Sequence, residues 1–275
     1  MGKFSRTWSL MLECWHVLMQ EKSLLVFPLI SGICWLLLLA SFAVPIFVTD
    51  SWRPPGHDAE PIRQVAFYGT LFAFYVASYF IVVFFNAAIV ACAAMRLSGG
   101  TPTIGDGLRA AGARLPVIAG WALVSATVGL ILRIIEDRSD KVGQIVAGLL
   151  GMAWTVVSFL VVPILVIENK GPIAALKDST SLLKKTWGEQ LISNFSFGAI
   201  FAVLTIPAFV VVILGFYLGG ATVGIVCVCL AAIYWVALAL VQSALQAIFQ
   251  TALYLYARDG QVQGFRTEVL SGALG

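Results

Sequence analysis

The residues able to do chemistry are few and scattered. The chain holds two histidines, His16 and His57, and five cysteines, Cys14, Cys34, Cys92, Cys227 and Cys229. Metalloprotease-type hydrolysis needs two histidines one helical turn apart with a glutamate between them, and serine acyl transfer needs a G-x-S-x-G turn; neither pattern occurs. Cys227 and Cys229 stand two apart, which on a helix turns their thiols about 200° from each other, so they do not converge on one metal ion. All five cysteines fall in or beside apolar runs, where small apolar packing is expected rather than a disulfide framework. Gly100 and Gly105 have the spacing of a phosphate-binding loop, but Asp106 occupies the position of its lysine, and a carboxylate repels phosphate. The sequence therefore supplies no catalytic, cofactor-binding or metal-binding residue, and a protein that is not an enzyme is expected.

What remains is an uncharged polar set inside apolar runs: Asn86, Asn194, Gln242, Gln246 and Gln250. The three glutamines recur at four-residue steps and so share one helical face. Such groups serve either as the lining of a solute path or as hydrogen bonds between helices, each worth roughly 0.6 kcal/mol. A proton-coupled carrier keeps an ionisable residue within its spans, and no acidic residue lies deep in any apolar run of this chain.

The elements that must position these residues follow from composition. Hydrophobic residues make up 60% of the 275 and charged ones 11%, with a mean hydropathy of +0.95; soluble domains hold about 45–50% and about 25%. This is the composition of an integral membrane protein. A net charge of +3 is too small to point to nucleic acid. The N-terminal stretch is not expected to be a cleaved signal, because Glu13, His16, Gln20, Glu21 and Lys22 interrupt its apolar residues.

Apolar runs predict six transmembrane helices: Leu24 to Val48, Phe67 to Ala94, Pro116 to Ile135, Ile145 to Ile167, Leu191 to Tyr217 with a kink at Pro207, and the first part of Thr222 to Ala257. The last run would reach roughly 54 Å as one helix, too long for a bilayer core of about 30 Å. Its second half, with the glutamines, is expected to leave the lipid and continue as a helix against the interfacial segments. Gly219-Gly220 marks the preceding turn.

Three polar segments have helical amphipathy. Phe4, Trp8, Met11, Trp15 and Leu18 alternate four- and three-residue steps; Thr103 is the expected cap of a short helix to Leu115; and Pro172 to Trp187 carries Ile173, Leu176, Thr180, Leu183 and Trp187 on one stripe with Lys177, Lys184 and Lys185 beside it. Basic helices of this kind lie in a membrane interface, and Lys177, Lys184, Lys185, Trp187, Trp8 and Trp15 are the expected lipid-interface residues.

With both termini cytoplasmic, twelve of the 17 lysines and arginines fall inside, leaving Arg53, Arg63, Arg133, Arg138 and Lys141 outside. The expected fold is thus all-α and polytopic, one integral membrane domain over residues 1–275. Three hairpins, about 1–94, 95–167 and 168–257, are each preceded by a cytoplasmic amphipathic helix, with a short tail 258–275. The match of Ser9–Trp15 (SLMLECW) to Ser181–Trp187 (SLLKKTW) suggests a repeat. The expected partners are the bilayer of the cell membrane and its anionic inner-leaflet lipids. Ala73/Ala77, Ala87/Ala91, Ala147/Gly151 and Gly220/Gly224 have a spacing that serves packing within one subunit or in a homo-oligomer; an unknown membrane or cytoplasmic partner is the other possibility left open.

The segments FPLISG, FFNAAIVA, GDGLRAAGARLPVIAGWALVSATVGLILR, VVPILVIENKGPIAALKDSTSLLKKTWGEQ and LYLYARDG together resemble an uncharacterised family of prokaryotic integral membrane proteins, domain of unknown function 6159. The stretch around Lys170 to Asn194 is more distantly similar to the membrane domains attached to some glycerophosphodiester phosphodiesterases, whose chemistry resides in a soluble domain that this sequence lacks. The resemblance implies a membrane fold and supplies no catalytic residue. Two functional readings stand: a structural or accessory membrane protein with basic interfacial helices, or a facilitative transporter or channel for an uncharged or lipidic solute.

Overall fold

The computed structural model describes residues 3–48, 60–138, 141–187, 196–260 and 262. Among these the chain is helical, without strands: α1 (Lys3–Gln20), a 3-10 turn (Lys22–Leu25), α2 (Val26–Val48), α3 (Pro61–Leu97), α4 (Ile104–Gly112), α5 (Leu115–Arg138), α6 (Lys141–Val157), α7 (Val161–Glu168), α8 (Pro172–Trp187) and α9 (Ser196–Asp259). Five stretches are long and apolar enough to cross a membrane: Lys22–Val44, Pro61–Leu97, Leu115–Asp137, Lys141–Glu168 and Ile200–Asp259. That is the mark of a multi-pass membrane protein. Their surfaces agree, with Leu36, Leu37 and Val44 on α2 and Ile213, Leu218 and Ile233 on α9 all exposed, as lipid-facing side chains are.

The last stretch contains a reversal. Gly220 alone within α9 leaves helical geometry, at φ 65 and ψ −164, a region essentially closed to residues with a β-carbon. On either side the chain runs back along itself. The Tyr234 hydroxyl donates to the Leu204 carbonyl at 2.7 Å, the rings of Phe209 and Trp235 lie 4.7 Å apart, and Phe216 covers Gly224. The paired residue numbers converge on Gly220, as an antiparallel hairpin requires. Pro207 sits inside α9 without taking its neighbours out of helical angles.

Contacts divide the chain into two compact units built from non-consecutive segments. The first comprises residues 1–28, 93–101 and 182–275, the second 29–92 and 102–181. In the first, α1 packs against α9, whose buried residues concentrate between Ala244 and Leu255. The second half of the long final run therefore does continue as a helix beside α1. In the second, α2 meets α3 through the Phe42 and Phe74 rings at 5.4 Å, and α5 packs on α6 with Trp121 stacked on Trp154 at 5.5 Å.

The fourth apolar run, continuous in the sequence, is interrupted. Helical geometry lapses over Ser158–Leu160, between α6 and α7, because Pro163 brings no N–H and its ring crowds the preceding turn. The break is closed from α8. The fully buried Ser179 hydroxyl donates to the Val157 carbonyl at 2.7 Å and accepts from the Leu160 N–H at 3.3 Å. Arg114, just before α5, adds a bond from Nε to the Val166 carbonyl at 3.3 Å.

Candidate functional site

Three helices richer in polar residues, α1, α4 and α8, and one cleft are the places where this fold gathers polar side chains. At 100° per residue, the apolar side of α1 from Val17 through Leu10, Cys14, Leu18, Met11, Trp15 and Met19 to Leu12 spans an arc of about 220°. Ser9, Glu13, His16 and Gln20 fill the rest. Only one side of that arc is covered by protein: Val17, Leu10, Cys14 and Leu18 are buried, Met11 is half-buried, and Trp15, Met19 and Leu12 are exposed. The docked face is thus rotated away from the tryptophan stripe, and Trp15 points outward with apolar neighbours. Burial of Cys14 pushes its thiol well above the usual range. The side chain of Trp8 lies outside the described residues. At the far end of α1, Gln20 accepts from Arg96 Nη2 at 2.8 Å, tying α1 to the end of α3.

On α8 the buried residues are Ala175, Ser179 and Leu183, a face turned about 80° from the centre of the expected stripe. Ile173, at the edge of that stripe, is exposed. The reason is Ser179, whose hydroxyl is required at the α6–α7 break and draws the small, polar side of the helix inward. Lys177 and Lys184 are exposed; the side chains of Lys185 and Trp187 lie outside the described residues. Lys170 bridges the turn from α7 to α8, 2.5 Å from Glu168 and 2.7 Å from Asp178, and those carboxylates hold its ammonium above the ordinary lysine value.

Thr103 is the cap expected of it. Its hydroxyl accepts from the Asp106 N–H at 3.2 Å, while the Asp106 carboxylate accepts from the Thr103 N–H at 3.0 Å, a capping box that opens α4. The Thr103 hydroxyl also donates to that carboxylate at 2.7 Å, and this bond, with the one from the Thr103 N–H, holds the Asp106 carboxyl below its usual value. Asp106, which stands where a phosphate loop would have its lysine, is the N3 member of this capping box.

The uncharged polar set is distributed. Asn86, half-buried on α3, belongs to the second unit, and the glutamines of α9 to the first; Asn194 lies outside the described residues. Gln246 is exposed, Gln242 half-buried and Gln250 buried, so the shared face passes from the surface into packing within two turns.

Sequence reading missed a cleft in the second unit. Tyr75 and Tyr79 of α3, Gly129, Leu132, Arg133 and Glu136 of α5, and Gln144, Ala147 and Gly148 of α6 enclose about 400 Å³ open to one side. Gly129 admits the Tyr79 hydroxyl, which lies 3.2 Å from where a β-carbon would stand. Arg133 lies 3.4 Å from Glu136 and 3.2 Å from Asp137, all half exposed. The signal available was the four-residue spacing of Tyr75 with Tyr79 and of Gly129 with Arg133. Each pair is unremarkable alone, and only packing of three helices brings them together.

A family model of unknown function, DUF6159, matches residues 65–265, 201 of the 275. The chain belongs to this family. The match takes in α3 to the end of α9 and leaves out α1 and the FPLISG segment of α2. No curated protein and no solved structure matches the chain. The likeness to phosphodiesterase membrane domains gains no support from these comparisons, and the function of the family is unknown.

Proposed function

We propose that this chain is a six-span structural or accessory protein of the cell membrane. Both termini and the helices α1, α4 and α8 would lie on the cytoplasmic side, attached to the anionic leaflet. The observation that carries the reading is the half-covered apolar arc of α1. Packing on α9 uses Leu10, Cys14, Val17 and Leu18, and the exposed remainder, Leu12, Trp15 and Met19, is what an interfacial helix dips into the acyl boundary. The exposed Lys177 and Lys184 supply attraction to anionic lipid, roughly 1 kcal/mol each near the surface. Six spans rather than five follow if the Gly220 reversal lies at the far side of the bilayer, which returns the glutamine segment and the C-terminus to the side of α1.

Topology and depth test this reading. In a cysteine-free background, single cysteines at His57 and Ser139 should label from outside the cell, and those at Ser181 and Gly272 only after permeabilisation. A nitroxide at position 15, read in nanodiscs, should be relaxed by oxygen more than by a water-soluble nickel chelate. Outside labelling at Gly272 would remove the sixth span, and a water-exposed position 15 would remove the interfacial role of α1.

The transporter reading draws on the interruption between α6 and α7, since broken helices form solute sites in carriers. Cysteines at Gln242 and Gln246 discriminate between the two: reaction with a membrane-impermeant thiol reagent added from outside the cell would favour a solute path.

A further inference from the structure

We propose that the cleft between α3, α5 and α6 binds a phosphate–ammonium zwitterion, the headgroup of a phospholipid that carries a primary amine. The donors for the phosphate are the Arg133 guanidinium and the hydroxyls of Tyr75 and Tyr79. The acceptor for the ammonium is the Glu136 carboxylate, and the Gln144 amide can serve either end. Arg133 is occupied by Glu136 and Asp137, but those pairs are half exposed and weak enough to be exchanged for a better partner. A phosphate offers Arg133 a bidentate, charge-assisted match, and the carboxylate it displaces is left beside the place where the ammonium arrives.

Depth and surroundings favour a lipid over a free solute. The charged residues Glu136, Asp137 and Lys141 mark the water border of the α5–α6 hairpin. Arg133 lies one turn inward, about 6 Å, and Gly129 about 12 Å, the interval from headgroup to upper acyl chain in a bilayer. Leu132, Ala147 and Gly148 form the inner wall. Next to Gln144 and Gly148 on α6, Ile145, Leu149 and Met152 are exposed, an apolar track for the acyl chains. The volume lies in the range of small-molecule sites. The inference is independent of the sidedness proposed above and of the cytoplasmic helices.

The test uses the full chain in mild detergent, with bound lipid counted by native mass spectrometry during titration with phosphatidylethanolamine, phosphatidylcholine, phosphatidylglycerol or soluble phosphoethanolamine. Phosphatidylethanolamine should bind at least about tenfold more tightly than the other two lipids, and phosphoethanolamine more weakly than its lipid. Arg133→Gln should lose about tenfold in that affinity, the worth of one charge-assisted contact, and Glu136→Gln should abolish the preference over phosphatidylglycerol. Gly148→Leu guards against misfolding of the charge variants, because a β-carbon at Gly148 meets nothing within 4 Å; it should fill the cleft and leave the fold intact. Equal binding of the three lipids, or unchanged binding in Gly148→Leu, overturns the proposal. Phosphoethanolamine binding as tightly as its lipid overturns the lipid assignment.

Discussion

Substituting Gly220 by alanine should weaken the fold although the new methyl group touches nothing. At φ 65 and ψ −164 the residue occupies a backbone region essentially reserved for glycine, and an alanine held there costs about 1–3 kcal/mol. The ideal β-carbon finds no atom within 4 Å, so no clash adds to that figure and no repacking can relieve it. Gly198, in the same helix, is the control: it is exposed, its β-carbon also meets nothing within 4 Å, and its backbone is helical. Gly198→Ala should stabilise by about 0.5–1 kcal/mol, the ordinary helical preference. The two variants should therefore differ by roughly 1.5–4 kcal/mol, with opposite signs relative to the parent. The assay is equilibrium unfolding of the purified protein in mixed micelles of increasing sodium dodecyl sulfate, followed by far-ultraviolet circular dichroism. Equal midpoints for Gly220→Ala and Gly198→Ala would refute the reasoning, since the reversal would then not depend on a backbone conformation that alanine avoids.

Three further outcomes follow from the same geometry. Ser179→Ala should destabilise the protein by about 2–3 kcal/mol in the same assay, because it strips a buried N–H at Leu160 and a carbonyl at Val157 of their partner; Ser179→Thr, which keeps the hydroxyl, should lose less. Cys14 should resist maleimide in the native protein and react once the detergent unfolds α1, since it is fully buried and its thiol is held protonated; rapid native labelling would mean that α1 is not docked on α9. Asp106, whose folded pKa is depressed below 3.8, stabilises α4 above the unfolded value, and that contribution fades as the pH falls through the folded one. Thr103→Val removes the hydroxyl that lowers it, so the Asp106 titration, followed by its carboxyl chemical shift, should move up toward 3.8.

Much of this architecture is legible in the sequence because bilayer physics is one-dimensional. Run length and polarity locate membrane-crossing segments, and for that reason the apolar stretches, the helical stop at Gly219-Gly220, the Thr103 cap and the continuing helix after Gln242 could all be expected. Faces are harder. The stripes of α1 and α8 were expected at their most hydrophobic side, but in a membrane protein an apolar side chain can face either protein or lipid, and hydrophobicity does not distinguish them. Ser179 illustrates the limit: a polar residue becomes the centre of the buried face because Pro163, on the preceding helix, leaves backbone groups in need of it.

By itself, then, the sequence determined that the chain carries apolar runs long enough to cross a membrane, that a helix opens at the Thr103 cap, and that a turn falls at Gly219-Gly220. The tertiary structure alone decided which half of the α1 arc is covered, that the fourth run is broken at Ser158–Leu160 and closed by Ser179, and that Tyr75, Tyr79, Arg133, Glu136 and Gln144 face a common cleft. The physical reason is that hydrophobic burial is summed along a segment and can be read from its residues, whereas hydrogen bonds and ion pairs depend on distances between segments, and those distances exist only after the helices have packed.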